Sequence, residues 1–128
     1  MKISRKAEYG LTAMVHLAKN KNKRAISIRE ISHIEGVPFE FLSKIFSGLE
    51  KANLVTAKHG ANGGYYLAKD YKKITAKDIV EVLENTTSSV DCTFCRKSKN
   101  CLTKNVWRKI DIAIEKTLKD ITLADLIK

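Results

Sequence analysis

Ser27-Ile-Arg-Glu-Ile-Ser-His-Ile-Glu-Gly36-Val-Pro38-Phe-Glu-Phe-Leu-Ser-Lys-Ile-Phe-Ser47 is the stretch that decides how this chain folds. Ser27 with Glu30 three residues on is the capping-box pattern, in which each side chain satisfies an amide at the other's end of the first turn. Ile28, Ile31 and Ile34 are assigned the apolar side of that helix, and Gly36 supplies a left-handed stop. Pro38 suits a first helical position, where its missing N–H costs nothing. The helix it opens is expected to run to about Ala52. Leu42, Ile45, Phe46 and Leu49 make its buried stripe, and Glu40, Ser43, Lys44 and Ser47 its opposite face. Two short helices joined by a tight turn at a glycine form a helix-turn-helix.

Working outward, the residues before it read as another helix. Ser4 can cap it, and Ala7, Leu11, Met14, Val15 and Ala18 recur at helical spacing to about Asn20. Lys19 to Arg24 is a basic loop. After the pair, Leu54–Ala57 and Tyr65–Ala68 are short strand candidates around Lys58-His-Gly-Ala-Asn-Gly-Gly64, a turn-rich loop. Three helices followed by such a hairpin predict a winged helix, with the third helix in a major groove and the wing beside it. The fold class is therefore mostly α with a small β wing. A fourth helix, Ala76 to Glu84, is capped by Thr75 with Asp78 at the reciprocal position.

The C-terminal third carries a different signal. Cys92-Thr-Phe-Cys95-Arg-Lys-Ser-Lys-Asn-Cys101 contains all three cysteines of the chain and no apolar periodicity. Cys-x2-Cys lets two thiolates share one metal or cluster, and a third cysteine beyond it fits a cluster with one external ligand. Arg96, Lys97 and Lys99 favour thiolates and offset a cluster's negative charge. A zinc site or a redox dithiol without metal remains the alternative. Thr103 then opens a long helix to about Lys119, with Trp107, Ile110, Ile114 and Leu118 on one side and Val106 and Ala113 beside them. Such a stripe exceeds what a small winged domain covers, and the expected cover is the same helix of a second subunit. Thr122 with Asp125 caps a final turn, and Ile121 with Leu126 suggests a hydrophobic staple.

The chain has 128 residues and a formal net charge of +10, a surplus that points to a polyanionic partner such as nucleic acid. Glu40 can accept from a cytosine amino group, and Lys44 can reach guanine or a phosphate. Phe39 and Phe41 either meet thymine methyls or pack on the first helix. Arg5, Lys6, Tyr9 and Arg29 are phosphate-contact candidates. Lys58 and His59 suit the minor groove or its backbone, while Gly60, Gly63 and Gly64 make the hairpin turn. No signal segment or membrane-length apolar run is read, so a cytoplasmic location with no membrane partner is expected. No Ser/His/Asp set, phosphate loop or paired-acid site is read, and His16, His33 and His59 are scattered, which argues against an enzyme or electron-transfer accessory protein.

These residues resemble the IscR-type winged-helix regulators of bacteria, which include nitric-oxide-responsive and iron-responsive branches. The resemblance spans essentially the whole chain. It rests on Lys6-Ala-Glu-Tyr-Gly-Leu-Thr-Ala-Met14, Phe41-Leu-Ser-Lys-Ile-Phe-Ser47 with Leu49, Gly63-Gly-Tyr65, Cys101-Leu-Thr103, Trp107 and Ile121-Thr-Leu-Ala-Asp-Leu126. It implies a homodimer on a palindromic double-stranded operator and an iron–sulfur cluster, 2Fe–2S or 4Fe–4S. Cys92, Cys95 and Cys101 match the three cluster cysteines, the first two lying closer together than in the best-known members. IscR's fourth ligand is a histidine three residues after the last cysteine. Lys104 stands there and cannot ligate while protonated. In other branches that ligand comes from the partner subunit's first helix, where the matching residue is Glu8, with Asn105, a small thiol or water as alternatives. The family's DNA contacts match Tyr9, Arg29, Glu40, Phe41, Lys44, His59 and Gly60, while Pro38 and Glu40 replace small hydroxyl residues of IscR.

The expected organisation is a winged helix-turn-helix over 1–84, a cluster loop over 85–103 and a dimerisation helix with its final turn over 104–128. The expected function is transcriptional regulation with operator affinity set by the cluster.

Overall fold

A computed structural model describes residues 3–20, 24–84 and 102–127. Its elements are α1 (Arg5–Ala18), α2 (Ile28–Glu35), α3 (Phe39–Lys51), β1 (Val55–Lys58), β2 (Gly64–Leu67), α4 (Ala76–Leu83), α5 (Lys104–Asp120) and α6 (Leu123–Leu126). The three N-terminal helices and the two-stranded wing are those the sequence predicts.

The helix starts follow their caps. Ser4 accepts from the Ala7 N–H and opens α1, and Ser27 accepts from the Glu30 N–H and opens α2. The expected box at Ser27 is half made, because the Glu30 carboxylate reaches Arg24 at 3.1 Å instead of returning to its own cap. α2 ends at Gly36 with φ 70, the left-handed stop. Pro38 is one residue earlier in its helix than expected. Its ψ of 134 is extended, and its carbonyl accepts the Leu42 N–H, so it is the cap of α3 and not its first turn. Ile34 is also displaced from its expected role, being 59% exposed while Ile31 is fully buried. Steps of three residues turn about 300°, so Ile34 has drifted about 120° from Ile28 around the axis.

The core forms where α1, α3 and α4 converge. Ala7, Met14, Ile31, Leu42, Ile45, Phe46, Leu49 and Ile79 have no exposed surface. Gly10 allows the closest approach: a Cβ there would lie 2.0 Å from the Leu83 Cδ1 of α4. Each core leucine or isoleucine contributes roughly 2 kcal/mol by burial.

The wing is an antiparallel pair in which Val55 faces Leu67 and Lys58 faces Gly64. Both strands lie one residue from their expected bounds. Leu54 is held back because its N–H closes onto the Leu49 carbonyl at 3.0 Å, across Asn53 at φ 61. A third stretch pins the wing. Ile26 donates to and accepts from Tyr65 at 2.9 and 2.8 Å, and Tyr65 stacks on Phe46 at 4.7 Å. Burial raises the Tyr65 phenol above its ordinary value, with a smaller push from Glu50. A Cβ on Gly64 would lie 2.4 Å from the Ile26 backbone, so glycine is required at that crossing.

The C-terminal segment returns to the head. Thr75 and Thr122 form an antiparallel bridge, and each begins a complete capping box, with Asp78 and Asp125. Leu123 is fully buried in the same core as α1 and α3. Leu126, the expected staple partner of Ile121, is 44% exposed. Thr103 precedes α5 without a side-chain cap bond.

Candidate nucleic-acid interface

The exposed face of α3 carries Phe39, Glu40, Phe41 and Lys44 because its other face is consumed by the core stripe. Glu40 and Lys44 are four residues apart and therefore share a side of the helix. Phe41 is 37% exposed, and its ring meets Tyr9 of α1 edge-on, 5.3 Å between centroids. The Tyr9 hydroxyl accepts from Arg5 at 3.3 Å. That bond first, then the electrostatic pull of Tyr9 and Glu8, raises the Arg5 guanidinium above its ordinary value. On the other flank the Arg29 guanidinium of α2 lies over the Phe39 ring, 5.2 Å from its centroid.

Of the two phenylalanines, only Phe41 makes a ring contact with the first helix that the sequence offered as one alternative, while Phe39 meets Arg29 of α2 instead. Phe41 packs on α1 and Phe39 packs under α2, yet both keep more than a third of their surface. Together they bring Arg5, Tyr9, Arg29, Glu40 and Lys44 around the start of one helix. Lys6 is exposed in the first turn of α1. Lys58, His59 and Gly60 are exposed at the tip of the wing, and the ring contacts that join α1, α2 and α3 do not extend to them. Gly60 has φ 111, which suits glycine, and accepts the Gly63 N–H to close the turn.

Two contributors were not read from the sequence. Ile26, which pins the wing, makes a single bridge too short to have a period. His16 meets Glu35 at 2.8 Å and ties α1 to the last residue of α2. Neither pairing leaves a local pattern, since its partners lie far apart in the chain.

Cys92, Cys95 and Cys101 lie outside the described residues. Glu8 is exposed on α1 beside Tyr9. Among the described residues, no group of three or more His, Cys, Asp or Glu side chains is arranged to hold a metal. Lys104 and Asn105 are exposed in the first turn of α5. Trp107, Ile110, Ile114 and Leu118 are half-buried, and none belongs to the set packed on the core. α5 has no fully buried residue, and Val106 and Ile112 are 51% and 58% exposed. An ion pair between Lys77 of α4 and Glu115 of α5, at 2.8 Å, spans the two helices.

A helix-turn-helix whose second helix is backed by two arginine-bearing aromatics, followed by a pinned hairpin, defines a winged-helix DNA-binding protein. The chain matches over residues 3–128 the family described as "Rrf2: Iron-dependent Transcriptional regulator", and it belongs to that family. It is 31% identical to the HTH-type transcriptional regulator IscR of Vibrio atlanticus, across 100% of this chain and 76% of that protein. It is likewise 31% identical to protein rrf2 of Nitratidesulfovibrio vulgaris, covering 100% of this chain and 88% of that one. Among solved structures, CymR, the global cysteine regulator of B. subtilis, superimposes with a TM-score of 0.84 at 35% identity, covering 99% and 96% of the two chains. T. potens IscR gives 0.83 at 35% identity over 99% and 86%. The oxidised form of Staphylococcus aureus CymR gives 0.83 at 32% over 100% and 97%. These relatives are transcriptional regulators, not enzymes. Among the described residues no helix is long and apolar enough to cross a membrane.

Proposed function

We propose that this regulator is a cytoplasmic homodimer that binds a palindromic operator and whose affinity is controlled by an iron–sulfur cluster. The division into a DNA-binding part over 1–84, a cysteine loop over 85–103 and a pairing helix over 104–128 belongs to this reading. The observation that carries it is the ring contact between Tyr9 on α1, the residue next to the exposed Glu8, and Phe41 on α3. Base reading falls to Glu40, Phe41 and Lys44, phosphate contact to Tyr9 and Arg29, and the wing contact to Lys58, His59 and Gly60.

The donor chemistry fits the group. Three thiols within ten residues, flanked by cations, supply most of a cluster's ligands, and the exposed carboxylate of Glu8 of the partner subunit can supply another. A bound cluster supplies a redox- and iron-sensitive charge at the subunit boundary. A load on Glu8 acts on α1 next to Tyr9, and Tyr9 bears on α3 through Phe41. A change there shifts DNA affinity only to the extent that the two arrangements of α1 and α3 bind DNA differently. The incompletely buried stripe of α5 supports pairing through Trp107, Ile110, Ile114 and Leu118.

A second reading keeps DNA binding but uses the cysteines as redox thiols or a zinc site. The likeness to a CymR structure solved in an oxidised form favours the thiol version. Anaerobic purification with iron and sulfide analysis, followed by DNA binding of loaded and stripped protein, separates them. Iron and sulfide in the loaded protein, with an affinity that changes on stripping, is the expected result. A colourless, iron-free but DNA-competent protein removes the cluster. Equal binding by loaded and stripped protein removes the control.

A further inference from the structure

Arg29, Ser32, His33 and Phe39 line an open depression of about 430 Å³ between α2 and the start of α3. Arg29 and His33 are four residues apart and share one side of α2. Ser32 is already committed, its hydroxyl donating to the Val37 carbonyl. The neighbouring acid, Glu30, is engaged by Arg24 at 3.1 Å. The depression is therefore a cationic seat with an aromatic ring beneath its charge.

We propose that Phe39 is a positioning residue, holding the Arg29 guanidinium in this depression toward the backbone phosphate that the proposed function already gives it. The inference rests on α1, α2 and α3 forming the DNA-facing surface. A long arginine in solvent samples many rotamers and gives up that freedom on binding. A ring under the guanidinium removes part of the loss before DNA arrives. Packing over a ring leaves the edge of the guanidinium available, and that edge matches two phosphate oxygens. The location fits, because the seat flanks the start of α3, where a backbone passes when that helix lies in a major groove. Phe39 is 42% exposed, so burial in the core does not account for a large aromatic at this position.

Phosphate contacts are independent of sequence, so the test needs no operator. The full chain, purified anaerobically, is titrated with a fluorescent mixed-sequence duplex at several salt concentrations. Arg29→Ala is expected to weaken binding roughly tenfold at low salt and to reduce the slope of log affinity against log salt by about 0.9. Phe39→Leu should weaken it about two- to fivefold, the size of an exposed cation–π contact, and Phe39→Trp should restore it. The double variant should bind no worse than Arg29→Ala alone.

Thermal melts monitored by circular dichroism confirm that each variant is folded, and the leucine–tryptophan pair separates the ring's role from general packing. Wild-type binding by Phe39→Leu, or failure of Phe39→Trp to recover, overturns the positioning role. An unchanged salt slope in Arg29→Ala overturns the seat. A wild-type chain that binds no duplex overturns the DNA-facing reading as well, which distinguishes the two failures.

Discussion

In α3 the residues Leu42, Ile45, Phe46 and Leu49 have no exposed surface, whereas in α5 Trp107, Ile110, Ile114 and Leu118 are incompletely buried and Val106 and Ile112 keep half of their surface. Both helices show apolar residues at helical spacing. Among the described residues, one stripe is fully buried and the other is not. The pattern tells a helix that it has a side to bury and leaves open which molecule buries it. The neighbours decide: α3 is enclosed by α1, α2, α4 and β1, while among the described residues the main packing partner of α5 is α4.

The largest effect is expected from breaking the satisfied stripe. Phe46→Ala should cost about 3–5 kcal/mol in urea unfolding, since a large cavity opens beneath Tyr65 as well. A loss below about 1 kcal/mol would mean that α3 is not the packed helix. Next comes the open stripe. Ile110→Asp should leave the far-UV spectrum intact yet weaken the proposed homodimer by about 3 kcal/mol, seen as monomer in sedimentation equilibrium. A dimer of undiminished strength would place the interface elsewhere.

On the solvent side of α3, Lys44→Ala should weaken operator binding by about 1–3 kcal/mol without changing the melting temperature. Unchanged binding would remove α3 as the reading helix. The smallest effect concerns the Lys77–Glu115 pair that joins α4 to α5. Its hydrogen bond to Lys77, and then the Lys77 charge, hold the Glu115 carboxyl below its ordinary value. The same bond raises Lys77, against a partial loss from burial. A lowered carboxyl contributes above its unfolded value and loses that contribution as pH falls through its folded one. The raised lysine loses its contribution only as pH climbs through its folded value. Docking of α5 on α4 should therefore loosen slightly on acidification, and Glu115→Gln should abolish that acid dependence. A docking signal by hydrogen exchange that varies with pH equally in both proteins would exclude the pair as its cause.

The helix-turn-helix was legible because its determinants are local. Ser27, Gly36 and the Leu42–Leu49 stripe each act within a turn or two. The discrepancies arise where a distant or competing partner intervenes. Glu30 was drawn from its cap to Arg24, and Ile34 drifted off the face because three-residue steps do not keep pace with the helix. Pro38 became a cap because its extended ψ placed its carbonyl under Leu42. In the candidate interface Tyr9, Arg29 and Phe41 could be proposed from their residue types and positions in the helices. Their mutual contacts, Arg29 over Phe39 and Tyr9 against Phe41, were not, since each crosses between helices. The incomplete burial of α5 is likewise a property of the neighbourhood and not of the stripe.

The bridge between Thr75 and Thr122 makes α5 a lever. Two helices, α4 and α6, begin side by side there, and Leu123 anchors the second in the core. The 17-residue α5 is thereby pinned at its C-terminal end. Its length is about 25 Å, so a rotation of about 5° at the pinned end carries the other end through about 2 Å. That other end begins three residues after Cys101 in sequence, so a displacement there corresponds to only a small rotation at the anchored end beside the start of α4.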